Sequence, residues 1–409
     1  MRATWNPLAS GLRSHTSCGV SDRIHPLRRL LVSALPVTFV LGGAGCIRQG
    51  PASPQASAVA AFTLAGEVIV NSPPAPGGLR FGGLSGLVPL GDGRELLAIS
   101  DDSDDPRVLR LRITAAPAWS VQHLESIRLE QHDHAPARLD PEGIALTADG
   151  HLLISSEGIS TEQLRLPPSI TEYSSDGRYI RQLPVRPRFV QNPTGTMSTG
   201  VRTNAGFESL TTTPDFSHLF TATELSLLQD GDGDPFSTAP RTRVLEYVAE
   251  SGSYQPAREF VYELDPLPRP AFRVGFAVNG LVELLALNQS ELLAMERAFI
   301  ESEDKTTTIN RIRLFRITLD GATDVSALDS LSGPEPKTPV RKLLLSDLNA
   351  LPGLSAKLAS LDNFEGLAWG PPGRNGLRPL ILVSDDNFRA NQMTAFLFLQ
   401  PGRAAGPLR

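Results

Sequence analysis

The chain has little cysteine: two residues in 409, Cys18 and Cys46, both near the N-terminus. Nothing after Cys46 can form a disulfide framework or a Cys-ligated zinc site. Aromatics make up only 6%, and lysine is confined to Lys305, Lys337, Lys342 and Lys357. Positive charge is also short. Beyond residue 46 the chain carries 33 basic and 43 acidic groups, a net of −10. That balance excludes nucleic acid as a partner, since phosphate backbones need a basic footprint. It suits cations, and it allows phosphate only through a bound metal or a local Arg cluster. Sustained helical periodicity is missing too, apart from a short piece near 343–361.

What the chain has is turns and short apolar runs. Gly 35 and Pro 34 favour short strands over long helices. A composition of 41% hydrophobic and 20% charged residues is that of a globular protein. The length holds one large all-β domain or two ordinary ones.

Residues 1–46 read as an export signal. Arg28 and Arg29 precede an apolar stretch over 30–45, too short for a membrane span and interrupted by Pro36. Cys46 follows Ala44 and Gly45, as in a bacterial lipoprotein signal, although Gly43 stands where leucine is usual. Lipidation at Cys46 and ordinary cleavage near Ala58 both stay open. The expected location is outside the cytoplasm, periplasmic or secreted, with membrane contact only through an anchor at Cys46. A Pro/Ala/Ser-rich linker covers 47–61, and the folded domain covers 62–409.

A two-part unit recurs five times in that domain: LSGLVPL with LLAISDD, PEGIALT with LLISSEG, FESLTTT with LFTATEL, VNGLVEL with LLAMERA, and FEGLAWG with LILVSDD. Turn residues such as GDGR at 91–94 and ADGH at 148–151 separate the halves, so each unit reads as a β-hairpin. Runs at 107–113, 243–249 and 311–317 supply further, outer strands. Repeated sheets around one axis predict an all-β propeller of five or six blades. A strand at 62–70 with C-terminal strands is available to complete a sixth.

These repeats, together with LSLLQDGDGDP at 225–235, resemble the phytase-like propeller family described by an "esterase-like activity of phytase". The resemblance covers about 80–400. It implies hydrolysis of phosphate or other small-molecule esters, with Ca²⁺ as the expected cofactor. Fold transfers through such a resemblance better than chemistry does.

Aligning the copies gives two polar series. The first is Ser85, Glu142, Glu208, Asn279 and Glu365; the second is Asp101, Glu157, Glu224, Glu296 and Asp385. Equivalent places in a propeller surround one axis, so these groups should converge. Facing carboxylates need cations, Arg partners or raised pKa values. Hard oxygen ligands suit Ca²⁺ or Mg²⁺. The expected metal ligands are therefore Asp101, Glu142, Glu157, Glu208, Glu224, Glu296 and Asp385. The expected catalytic set is Glu142, Glu208, Glu365 and Arg297, with Arg297 or Arg389 able to clamp a phosphate. The same acids could equally tie blade to blade without chemistry.

Asp230, Asp232 and Asp234, alternating with Gly231 and Gly233, resemble the start of a Ca²⁺ loop, although Arg241 stands where an EF-hand needs its last ligand. His132 and His134 are spaced to share a strand face, in a segment that reads as a loop. Ser85 in GLSGL misses the nucleophile elbow because Leu87 replaces the final glycine. A metal-dependent esterase, a ligand-binding propeller of the cell envelope and a calcium-stabilised scaffold all stay open.

Overall fold

The repeats fold as five four-stranded antiparallel sheets. The computed structural model describes residues 62–70, 80–130, 138–160, 164–231, 233–373 and 376–402. The signal and linker (1–61, with Cys46), His132, His134 and Asp232 lie outside the described residues. Blade 1 comprises Leu84–Leu90, Glu95–Ser100, Arg107–Thr114 and Ser120–Arg128. Blade 2 comprises Pro141–Leu146, Leu152–Ser156, Ser169–Tyr173 and Tyr179–Gln182. Blade 3 comprises Phe207–Thr212, His218–Thr223, Arg241–Glu250 and Ser253–Glu263. Blade 4 comprises Val274–Ala286, Glu291–Ser302, Thr308–Thr318 and Arg341–Asp347. Blade 5 comprises Asn363–Trp369, Leu380–Asp385, Thr394–Pro401 and, as its outermost strand, Phe62–Val70.

That last pairing settles the blade number at five. Phe62–Val70 runs antiparallel to the C-terminal strand, from Phe62 opposite Pro401 to Val70 opposite Thr394, and so closes the fifth blade instead of starting a sixth. Covering the free edge with the N-terminal strand removes an exposed ladder. The arginine-punctuated runs are the third strands of their blades, not the outermost ones. The apolar piece near 343–361 is not an α-helix. It holds the outer strand of blade 4 and the single 3₁₀ turn Leu348–Ala350.

The second strands explain why the apolar runs are uninterrupted. Successive side chains point to opposite faces of a strand, and both faces of a propeller blade meet a neighbour. Leu96 packs toward blade 5 with Ile381 and Phe396, whereas Leu97 packs toward blade 2 with Ile144 and Ile154. Leu292 meets Phe220 and Val244 of blade 3, and Leu293 meets Phe364 and Leu382 of blade 5. Burial on both faces demands apolar residues at every position, not at alternate ones.

The inner strands crowd around the axis. A Cβ on Gly86 would lie 2.7 Å from the Glu142 carbonyl oxygen, and one on Gly143 would lie 2.6 Å from the Leu210 amide nitrogen. A five-blade ring leaves no room for side chains at these places, which is why the sequence reads Ser-Gly and Glu-Gly there.

Candidate functional site: an acid ring at the axis

Each inner strand carries a β-bulge, near its start in blades 1, 2, 3 and 5 and past its middle in the longer strand of blade 4. The register shifts between Leu84 and Gly86, Pro141 and Ile144, Phe207 and Ser209, Leu281 and Glu283, and Phe364 and Gly366. A bulge re-aims one side chain out of the ladder. The residues so placed are Ser85, Glu142, Glu208, Val282 and Glu365. The second strands end beside them, bringing in Asp101, Glu157, Glu224, Arg297 and Asp385.

This register corrects the expected series in blade 4. Leu281 pairs with Glu296 as Phe364 pairs with Ser384, and Gly280 pairs with Arg297 as Asn363 pairs with Asp385. Arg297 therefore holds the ring position and Val282 the bulge, not Glu296 and Asn279. Glu296 is fully buried elsewhere as the anion of a separate network. It accepts from Arg313 at 2.8 Å, Tyr262 at 3.0 Å and Asn279 at 3.0 Å, and it pairs with Lys342. With its oxygens so occupied, Glu296 is a structural counter-ion and no metal ligand.

The remaining acids do converge. One carboxylate oxygen from each of Glu142, Glu157 and Glu208 lies within 4.8 Å of the other two, and all three residues are buried. Glu157 and Glu208 face each other in this cluster, and the charge of Glu157 helps to raise Glu208. Glu157 also accepts from the Gly206 amide at 3.4 Å. Asn363 donates to Glu365 at 3.0 Å and to Asp385 at 3.1 Å. Among the described residues the cation of the ring is Arg297. Its Nη2 lies 3.1 Å from Glu224 and 3.4 Å from Glu365, and its Nη1 bonds Asn363. Gly280 leaves space for the Glu224 carboxylate, which a Cβ there would meet at 2.4 Å.

One guanidinium does not balance seven carboxyls. Burial, then the facing carboxylates of Glu208, Glu157 and Asp101, pushes Glu142 well above the usual carboxylate range. Burial followed by Glu157 and Glu224 does the same to Glu208, although Arg297 opposes it. Asp101, Glu157 and Asp385 are likewise raised well above the usual range, burial first in each case. Glu224 and Glu365 are raised less emphatically, because Arg297 counters their burial. Arg297 itself is pushed up: burial pulls it down, but Glu365, Glu224, Glu208 and Asp385 outweigh that. Asp140, opposite Glu157 at the ring's edge, is pushed up to about 6 by burial.

Several ring-side residues escape a simple reading of the repeats. Asp140 and Asn363 occupy the place that glycine holds in the other blades (Gly83, Gly206 and Gly280), as register alone reveals. Glu283 stands where Gly86, Gly143, Ser209 and Gly366 stand; its carboxylate accepts from the Leu284 amide at 2.9 Å and from Leu367 and Leu210. Asp386 accepts from the Gly83 amide at 2.9 Å and from the Phe388 amide at 3.0 Å. These bonds hold Asn387 and Phe388 in the left-handed region, at φ 46° and 51°. A bulky side chain rarely adopts that conformation outside functional turns. The Phe388 ring carries the Arg80 guanidinium 4.6 Å from its centroid.

Other expected ligands are not brought to the ring. Asp230 is the buried partner of Arg243, accepting from Nε at 2.7 Å and Nη2 at 2.9 Å, and it also accepts from the Leu331 amide at 2.7 Å. Asp234 closes its own turn by accepting from the Phe236 amide at 2.9 Å and the Ser237 hydroxyl at 2.7 Å. Asp230 is thus taken up inside the sheet, and Asp234 lies exposed in its own turn, away from the ring. Arg389 is exposed. Asp230→Asn is accordingly expected to lower stability by about 1–3 kcal/mol, as for a buried charge-assisted bond, while leaving any Ca²⁺-induced rise in Tm intact. A lost Ca²⁺ response in calorimetry would return Asp230 to the metal ligands.

A propeller of five blades, closed by its N-terminal strand and lined with buried acids at one end of its inner strands, is the class these observations define. The family model described as "Phytase-like: Esterase-like activity of phytase" matches residues 79–388, and the chain belongs to that family. No curated protein matches the chain. Among solved structures, a DUF4221-family member from Bacteroides vulgatus is similar at 8% identity and TM-score 0.35, covering 83% of this chain and 97% of that one. A gluconolactonase from Xanthomonas campestris is similar at 14% identity and TM-score 0.30, covering 86% and 98%. A PQQ-bound aldose sugar dehydrogenase from Streptomyces coelicolor is similar at 14% identity and TM-score 0.30, covering 82% and 97%. Likenesses this remote carry no argument about activity.

Proposed function

We propose that the chain is an exported hydrolase of phosphate or other esters that depends on a divalent cation, Ca²⁺, held at the acid ring. The carrying observation is the meeting of Glu142, Glu157 and Glu208 within 4.8 Å in a buried site. The donor set fits such an ion. It is all hard oxygen, and Asp101 adds a buried Oδ1 with no hydrogen-bond partner. Glu142, Glu157 and Glu208 would hold the cation, with Asp101 and Asp385 beside them.

A cation bound there supplies Lewis-acid polarisation of the ester and an activated water. The chain's own groups do the rest. Arg297 presents N–H donors to an anionic oxygen, and its Nε–H is buried without a partner. Glu224 and Glu365 flank that guanidinium and fix its direction. Asp140 stands opposite Glu157 at the ring's edge.

A second reading has an observation behind it. Glu142, Glu157 and Glu208 are only 7–8% exposed, a degree of closure that also suits a cation serving only to tie the blades. A panel of phosphomonoesters, phosphodiesters and carboxylic esters separates the two when run with Ca²⁺ and with chelator beside a melting curve. Turnover that requires Ca²⁺ is the expected result. A Ca²⁺-dependent Tm without turnover leaves the structural reading; neither effect removes the cation altogether.

A further inference from the structure

Blade 4 is longer than the others on the ring side. Its first three strands run 13, 12 and 11 residues, against 7, 6 and 8 in blade 1. From the ring position, where Gly280 pairs with Arg297, the ladder continues outward through Val278 opposite Phe299 and Phe276 opposite Glu301. The two-residue period puts Arg297 and Phe299 on one face and Ala298 and Ile300 on the other. The second face is occupied: Ala298 and Ile300 pack on Leu267, with Phe236 and Phe272 against them. The Arg297 face carries Val278, Phe276 and Phe299, each half-buried, with the two phenyl rings 6.3 Å apart and tilted, and Glu301 opposite Phe276 at its outer end.

This face rises directly from Arg297. Arg297 turns its Nη atoms toward Glu224, Glu365 and Asn363, and its Nε–H remains buried and unpartnered. An anionic oxygen accepting from Nε would sit at the foot of the phenyl wall. Its substituent would then lie along Phe299 and Val278, the apolar pair that the ladder places next on the Arg297 face. We infer that the outward ribbon of blade 4 is the non-polar subsite of the ester site: it takes the aryl group of an anionic ester held at Arg297, and Phe299 is the residue that selects it. The inference rests on the ester reading of the ring, but binding alone tests it.

Calorimetry on the full folded domain with Ca²⁺ compares phenyl phosphate with methyl phosphate. The wild type is expected to bind phenyl phosphate about tenfold more tightly, equivalent to about 1.4 kcal/mol. Phe299→Ala is expected to bring the ratio near one, whereas Phe299→Leu, which keeps apolar area, retains most of it. Equal affinity of the wild type for both ligands, no binding of either, or an unchanged ratio in Phe299→Ala would overturn the inference. An intact ratio in a protein that hydrolyses no ester would end the hydrolase reading and leave the subsite standing.

Discussion

Replacing Arg297 by methionine is expected to cost the metal-free protein about 3–5 kcal/mol near neutral pH, the usual loss when a buried charge is stripped of its partner. The substitution keeps the volume and removes the guanidinium that faces Glu224 and Glu365. The loss should shrink in acid. The ring carboxyls have folded-state pKa values above their unfolded ones. Each therefore contributes stability that is complete below the unfolded value and is lost as pH rises through the folded value. The window opens at ordinary carboxylate values and extends upward past Asp140 at about 6. Without Arg297 more of the ring must stay protonated, so the fall with pH becomes steeper. Urea denaturation in chelator at pH 5 and pH 8 measures this. An equal loss at both pH values would show that Arg297 acts through packing and not through charge.

Glu208→Gln is expected to have opposite effects on activity and on metal-free stability. It removes one of the three carboxylates that meet within 4.8 Å and are proposed to hold the cation, so ester turnover should fall at least about 100-fold and the Ca²⁺-induced rise in Tm should largely vanish. In chelator the same variant should be as stable as the wild type or more so. The change deletes a carboxyl pushed up by burial and by Glu157 and Glu224, and an amide of the same size carries no charge to bury. Turnover with and without Ca²⁺, alongside paired melting curves, reads both effects. A variant with wild-type turnover would remove Glu208 from the site, and one strongly destabilised in chelator would make it a structural tie.

The repeats made most of the ring legible. Glu142, Glu208 and Glu365 stand before a glycine or serine in a recurring strand, and Asp101, Glu157, Glu224 and Asp385 close the following one. Blade 4 departed from the pattern because its hairpin continues past the ring, so the motif VNGLVEL offers two registers. Asn279 fits one by appearance, whereas the ladder takes Val282. The adjacent pair Glu296–Arg297 is ambiguous for the same reason, since a shift of one residue exchanges the faces of a strand. Asp230 misled differently. Alternating Asp and Gly describes a turn able to surround an ion, but Arg243 lies thirteen residues onward in sequence and its approach depends on the sheet.

The sequence by itself determined an all-β chain of repeated apolar hairpins with acids at fixed places. Strand periodicity, turn residues and charge are local properties, written into each repeat. Tertiary structure decided the number of blades, because only the pairing of Phe62–Val70 with Thr394–Pro401 shows that the first strand closes the fifth sheet. It also decided which acids share a site and which pair with Arg313, Lys342 or Arg243. Those outcomes depend on register and on which blade faces lie together, and the carboxylates' protonation follows from that enclosure and not from their place in the chain.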